Sequence, residues 1–256
     1  MTTLQNKVIA ITGAGSGIGR ATALECAVRG ASLALSDINA AGLEATVAAV
    51  KEKGVTAVLH QELDVTKSDD VDAWIASVVK HYGRLDGAAN VAGVVGPPGG
   101  SVFTNLVDMS NDHWDAILGI NLTGLFYCLR AELRAMTAGA SILNVASMAG
   151  VMGRPGIAAY STSKHGVVGL SRSAAKEVGP RGIRVNALAP GPVDTPMLNQ
   201  VQSGGPGTSV TETYKNVPLQ RLGTAEDMAR TIAFALSDDA AYTNGATFSV
   251  DGGIAC

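Results

Sequence analysis

The sequence predicts a single doubly wound α/β domain, a seven-stranded parallel sheet with helices on both faces, and three observations carry that expectation. Short β-branched or apolar runs alternate with helix-length segments along all 256 residues. A glycine-rich stretch, TGAGSGIG at 12–19, stands between the first apolar run and the first helix-like segment. Two long irregular stretches, 94–110 and 195–223, each follow a strand. Alternation of this kind makes successive strands parallel, because each crossover helix returns the chain to the same edge of the sheet. Long loops in a compact domain are usually functional, and at the carboxyl edge of an open α/β sheet they border the ligand crevice. The architecture expected is therefore of the Rossmann type.

The strands read in order as KVIAIT at 7–12, SLALSD at 32–37, VTAVLHQELD at 55–64, LDGAAN at 85–90, SILNVAS at 141–147, IRVNALA at 183–189 and ATFSVD at 246–251. After the first, the glycines fit G-x-G-x-x-G in no register, since Ile18, Arg20 and Thr22 fall where its third glycine belongs. What remains is Gly13-x-x-x-Gly17-x-Gly19, led by Thr12. Glycine lets backbone N–H groups approach a bound group, and the helix N-terminus adds a partial positive charge of about half a unit, so the turn suits a phosphate. A ligand-free βα turn is the alternative. Asp37 closes the second strand, eighteen residues past Gly19. An acid there accepts hydrogen bonds from ribose hydroxyls and repels a 2′-phosphate, which favours NAD over NADP, unless it is only a turn or N-cap aspartate.

The helices after the fourth and fifth strands carry the chemistry. In NDHWDAILGINLTGLFYCLRAEL at 111–133, the inward stripe at helical spacing is Trp114, Leu118, Asn121, Leu125 and Cys128, with Trp114 in the core. A buried amide needs partners, so Asn121 either serves a site or bridges two backbone groups and kinks the helix. In GIAAYSTSKHGVVGLSRSAAKEV at 156–178, Tyr160 and Lys164 lie four apart on one face, and Ser147 stands thirteen residues before Tyr160. The three can converge. A free tyrosine has a pKa of about 10, so a neighbouring ammonium that lowers it turns the phenol into a usable acid or base.

Composition removes other classes. A net charge of −3 with no run of Lys or Arg gives no footprint for nucleic acid or an anionic membrane. The N-terminal apolar run is too short for a secretory signal and no stretch reads as membrane-spanning, so a cytoplasmic setting is expected. Cys26, Cys128 and Cys256 stand far apart and read as reduced thiols, with only Cys256 expected at the surface. His60, His81, His113 and His165 show no ligand spacing, and no metal site is expected.

Taken together, these motifs resemble the short-chain dehydrogenase/reductase family over 7–253. The resemblance rests on T-G-x-x-x-G-x-G at 12–19, LDV at 63–65, NVAG at 90–93, Asn121, Ser147, YSTSK at 160–164, PGPVDT at 190–195 and DGG at 251–253. A weaker similarity is to dehydrogenases of fungal secondary metabolism. The resemblance implies that Thr12, Gly13, Ser16, Gly17, Ile18 and Gly19 wrap the pyrophosphate of NAD. It implies that Asp64 and Val65 border the adenine, and that Asn90, Ala92 and Gly93 line the ribose and backbone. Pro190, Gly191, Val193 and Thr195 would meet the nicotinamide. Tyr160 is implied as general acid/base, Ser147 as orienting the substrate oxygen, Lys164 as lowering the Tyr160 pKa and holding the ribose, and Asn121 as anchoring a water relay. Val91 stands where the family usually has a second Asn. Members are commonly joined through two long helices, which implies a homotetramer or homodimer.

The substrate is read from the two long loops. A lid over 195–223 combines the SGGPG stretch with Met197, Leu198, Val201, Tyr214, Val217 and Leu219. Facing it stand Val94, Val95, Met148, Val151 and Met152, while Arg154 is expected to face solvent. An apolar pocket with adaptable Met walls suits a bulky, mostly hydrophobic secondary alcohol or ketone. Two rival classes remain: an S-adenosylmethionine methyltransferase, which has no need of the Tyr160, Lys164 and Ser147 trio, and a catalytically silent NAD-binding scaffold, which would be expected to have lost one of the four polar residues.

Overall fold

The structure, a computed structural model, describes residues 3–55, 58–203, 215 and 217–255. Seven strands form one parallel sheet in the order β3-β2-β1-β4-β5-β6-β7. They are β1 (Val8–Thr12), β2 (Ser32–Asp37), β3 (Val58–Glu62), β4 (Gly87–Asn90), β5 (Ser141–Val145), β6 (Arg184–Pro190) and β7 (Thr247–Val250). The winding direction reverses between β1 and β4, and at such a switch point the two following loops part to leave a crevice beyond the strand ends.

Strand alternation distributes the core to both faces. Ile9 and Ile11 of β1 and Leu143 and Val145 of β5 point to one side, with α1 (Gly17–Val28), α2 (Ala40–Glu52) and α8 (Ala225–Leu236). Val8 and Ala10, with Ile142, point to the other, with α3 (Ser68–Tyr82), α5 (Leu125–Ala135) and α6 (Ala158–Val178). Successive Cβ atoms on a strand face opposite sides, so a central strand covered on both must be apolar throughout, and all five residues of β1 are buried. Each large aliphatic side chain buried this way is worth about 2 kcal/mol.

The glycine turn has a steric origin. Gly13 and Gly17 sit at φ 68° and 48°, where a side chain is strained. A Cβ on Gly19 would lie 2.0 Å from the Gly13 carbonyl oxygen, and one on Gly13 would lie 2.8 Å from the Ala92 nitrogen. The first turn of α1 is thus folded tightly against β1 and the end of β4.

Three sequence expectations change. First, α4 (Asn111–Leu118) continues into α5 through a π-helical turn over Gly119–Gly124. The wider turn shifts the register, so Ile117 is the buried residue of α4, and Trp114, expected in the core, is half-buried. The fully buried tryptophan is Trp74 of α3. Second, the 25-residue stretch Asn111–Ala135 is long and apolar enough, by length and composition alone, to cross a membrane. In the fold its Leu125, Cys128 and Leu129 belong to the core, and it buries Asn121 and Glu132. Third, the 195–223 stretch opens with a helix, α7 (Pro196–Ser203); the glycines beyond it and Tyr214 lie outside the described residues. Cys26 and Cys128 are buried free thiols, and Cys256 lies outside the described residues.

Candidate active site

Beyond β5 the chain stays extended at Ser147 (φ −172°, ψ 161°), whose Oγ accepts a hydrogen bond from the Ala149 backbone N–H at 3.1 Å. That bond holds the hydroxyl at the mouth of the crevice. Tyr160 enters from the first turn of α6 and lines the same cavity as Ser147. One turn further, Lys164 is 4% exposed; its Nζ donates to the Val145 carbonyl at 2.9 Å and stands 5.8 Å from the Tyr160 ring centroid. The trio does converge.

Its electrostatics differ from the expectation. Burial raises the Tyr160 pKa above the ordinary phenol value, and the groups that oppose the rise are Ser147, by its hydrogen bond, and Arg154, by its charge. Lys164 is not among them. Burial lowers the Lys164 pKa to about 8, because an ammonium with a single carbonyl partner is poorly solvated there. In the protein alone, then, Lys164 is poised near neutrality and the Tyr160 phenol keeps its proton.

Asn121 occupies the π turn and is fully buried. Its Oδ1 accepts from the Val94 N–H at 2.8 Å, and its Nδ2 donates to the Val94 carbonyl at 2.8 Å and to Ser163 Oγ at 3.1 Å. It therefore bridges two backbone groups in a distorted helix, the alternative left open by the sequence, and fixes the start of the 94–110 loop. A Cβ on Gly93 would stand 3.1 Å from Asn121 Oδ1 and 3.3 Å from Lys164 Nζ, so glycine leaves the chain just beyond β4 uncrowded against both.

A cavity of about 1000 Å³ runs across the carboxyl edge. Gly13, Ser16, Gly17, Ile18 and Gly19 line its floor, and Asp37, Asp64 and Val65 one end. Ala92, Gly93, Ser147, Tyr160 and Lys164 line its middle, and Pro190, Gly191, Val193 and Thr195 its far wall. Val95, Met148 and Met197 also reach it, with Phe103, Ile157 and Ile254, which the sequence reading missed. Asp37 curls back so that Oδ2 accepts from the Gly15 N–H and Oδ1 from the Asn39 N–H, both at 2.8 Å. It is a turn residue and a cavity residue at once, while the N-cap of α2 is Asn39.

Four expected site residues do not line the cavity. Thr12 Oγ1 accepts from the Val91 and Ala92 N–H groups at 3.1 and 3.3 Å, tying the ends of β1 and β4 together. The backbone of Val91 supplies this link, whatever its side chain. Asn90 faces the opposite way: its Nδ2 donates to Glu132 Oε2 at 2.9 Å and to Asn144 Oδ1 at 3.0 Å. Asn121 acts through Val94, as above. Met152 is 37% exposed and lies outside the cavity wall. Arg154, expected in solvent, is exposed yet lines the cavity. Glu132 was missed altogether, although it continues the Asn121, Leu125, Cys128 stripe by one more helical step. The DGG segment is explained by packing, since a Cβ on Gly191 would meet the Asp251 Cα at 2.6 Å. Among the described residues no group of acid, His and Cys side chains could hold a metal.

This arrangement holds a proton donor, an orienting hydroxyl and a buried amine in a cleft whose glycine floor presents a helix N-terminus. Comparison with known proteins is consistent with it. A family model described as "Enoyl-(Acyl carrier protein) reductase" matches residues 13–255. The chain is 42% identical to "Short-chain dehydrogenase/reductase aba4" of Botryotinia fuckeliana (strain B05.10), covering 98% of this chain and 97% of that protein. Among solved structures it superposes on levodione reductase with a TM-score of 0.92 at 38% identity, covering 98% of both chains. It superposes on NAD+-bound xylitol dehydrogenase with a TM-score of 0.90 at 35% identity, covering 97% of this chain and 99% of that one.

Proposed function

We propose, for a chain that belongs to the short-chain dehydrogenase/reductase family and is thus an oxidoreductase acting on CH–OH or ketone groups, that it uses NAD(H) and a bulky, mostly hydrophobic secondary alcohol or ketone. The observation that carries this reading is the convergence of Ser147, Tyr160 and Lys164 in one cavity with the glycine turn and Asp37. The residues fit a dinucleotide: Ser16, Gly17, Ile18 and Gly19 line the cavity at the N-terminal end of α1, where a helix favours a phosphate. Asp37 places a carboxylate where a 2′-phosphate would be repelled. Bound there, the nicotinamide would donate or accept the hydride.

The rest of the chemistry falls to the chain. Tyr160 gives its proton to the substrate oxygen during reduction and takes it back during oxidation, at the phenol Oη. Ser147, beside that phenol in the cavity, holds the same oxygen in line. Lys164 carries a proton within reach of the Tyr160 ring, and its depressed pKa lets it release that proton at little cost. The apolar walls of Val95, Phe103, Met148 and Ile157 exclude water, and Met197 and Leu198 of α7 add to them. A homotetramer or homodimer and a cytoplasmic setting belong to the same proposal.

Two assays test it. Initial rates with a cyclic aliphatic alcohol should exceed those with 3-hydroxybutyrate in kcat/KM, and the reverse order would refute the hydrophobic assignment. NAD(H) should be preferred over NADP(H) by about a hundredfold, since juxtaposed like charges cost several kcal/mol and about 1.4 kcal/mol is tenfold. Asp37→Ser should narrow that gap by admitting NADP(H); a wild type that already prefers NADP(H) would contradict the reading of Asp37.

A further inference from the structure

The charges that line the cavity are not evenly spread. Its only acidic members among the described residues are Asp37 and Asp64, both beside the glycine turn. Its basic members are Arg154, Lys164 and Lys215. Lys164 is held by the Val145 carbonyl, but Arg154 and Lys215 are exposed at the rim and neither makes a hydrogen bond or ion pair with another described residue. They come from separate parts of the chain, the stretch between Ser147 and α6 and the stretch beyond α7. Apolar residues, Val95, Phe103, Met148, Ile157 and Leu198, share that lining with them and with Tyr160.

A cleft with apolar walls and two cations focuses positive potential onto whatever fills it. A neutral hydrophobic substrate would leave both cations to water. A substrate with an anionic group at the far end from its reacting carbon would be attracted as it enters and held in one orientation. Arginine suits a carboxylate in particular, because its planar fork matches the two oxygens. We infer that the substrate is an apolar alcohol or ketone bearing a carboxylate remote from the reacting carbon, bound at the cavity rim by Arg154 and Lys215. This rests on the assignment of Tyr160 and Ser147 to the reacting oxygen and names the substrate class of that same site. The influence of the Arg154 charge on Tyr160 agrees with a guanidinium turned toward the reaction centre.

The probe pair is 4-(4-oxocyclohexyl)butanoate and its primary amide, a charged and a neutral ligand of nearly equal size. With wild-type protein and NADH, the acid should exceed the amide in kcat/KM by about tenfold or more at low ionic strength. In the Arg154→Gln, Lys215→Gln double variant the acid-to-amide ratio should fall to near one. Reading the ratio cancels any general effect of the substitutions on Tyr160 or on folding. Calorimetric titration of each ligand into protein saturated with NAD+, which has no hydride to give a ketone, yields the same comparison as a ratio of Kd values without turnover. A discriminating Kd ratio with no NADH oxidation by either ligand would support the anion site and sink the hydride-transfer reading. An acid-to-amide ratio within about twofold in the wild type, or one that survives in the double variant, overturns the inference.

Discussion

Lys164 and Glu132 are two ionisable groups buried with no ion-pair partner among the described residues, one on α6 and one on α5, and the same force moves them in opposite directions. Burial lowers the lysine pKa to about 8 and raises the glutamate to about 7. What separates them is access. Lys164 lines the cavity, whereas Glu132 faces away from it and ends a chain of side-chain hydrogen bonds. In that chain Asn144 Nδ2 donates to Ser171 Oγ at 2.9 Å, and Asn90 Nδ2 donates both to Asn144 and to Glu132. The chain joins β4, β5, α5 and α6, the elements from which the site is built. A perturbed pKa therefore marks a functional group only where the group also meets the place a ligand would occupy.

The largest expected effect separates the pair on catalysis. Lys164→Met should lower kcat/KM by about 10² or more, the scale of a lost acid/base partner, while Glu132→Gln should leave the rate within about threefold. Equal losses from both would break the distinction.

Stability should rank them the other way. Asn90→Ala removes the donor that faces Glu132 and should cost about 3 kcal/mol in urea unfolding at pH 8, because a buried carboxylate is left unpaired. Glu132→Gln should stabilise at pH 8. Its folded pKa of about 7 against 4.5 makes the native state bind more protons between those values, so native stability falls as pH rises from 4.5 to 7 and the full cost, about 3 kcal/mol, stands above 7. The glutamine variant should lose that slope, and an unchanged slope would show that Glu132 is not its source.

The sign reverses for Lys164. A folded pKa of about 8 against 10.5 means that the native state binds fewer protons in that interval. The cost stands in full below pH 8 and is relieved as pH rises from 8 to 10.5. Lys164→Met should accordingly hold or gain stability at pH 7 while losing activity, and should abolish the alkaline rise. This is the smallest effect to detect, because deprotonation of other lysines overlaps the same range.

The sequence showed the parts that are written locally. Alternating apolar runs specify a parallel sheet, and the glycines at 13, 17 and 19 specify a turn that only a close backbone approach explains. Tyr160 and Lys164 share a helix face by spacing alone. It could not show which way a strand-end side chain turns, which is why Asn90 and Thr12 were placed beside a ligand although they knit strands together. The Trp114 error came from assuming 3.6 residues per turn through a stretch where a π turn inserts one more. Glu132 went unseen because an acid in the row after Cys128 reads as the end of an apolar stripe, and its partner Asn90 is 42 residues away. Arg154 needed the fold, since an exposed cation gives no sign in sequence of the cavity it borders.

The central claim is that the Tyr160 phenol is the proton donor and acceptor for the substrate oxygen. Tyr160→Phe removes one hydroxyl and leaves the ring packing in place. Single-turnover oxidation of a cyclic secondary alcohol, followed by nicotinamide absorbance with NAD+ binding measured alongside, tests it most directly. The account predicts a rate about 10² to 10⁴ lower with the NAD+ Kd unchanged within about twofold. A variant that retains more than about a tenth of the wild-type single-turnover rate would contradict it.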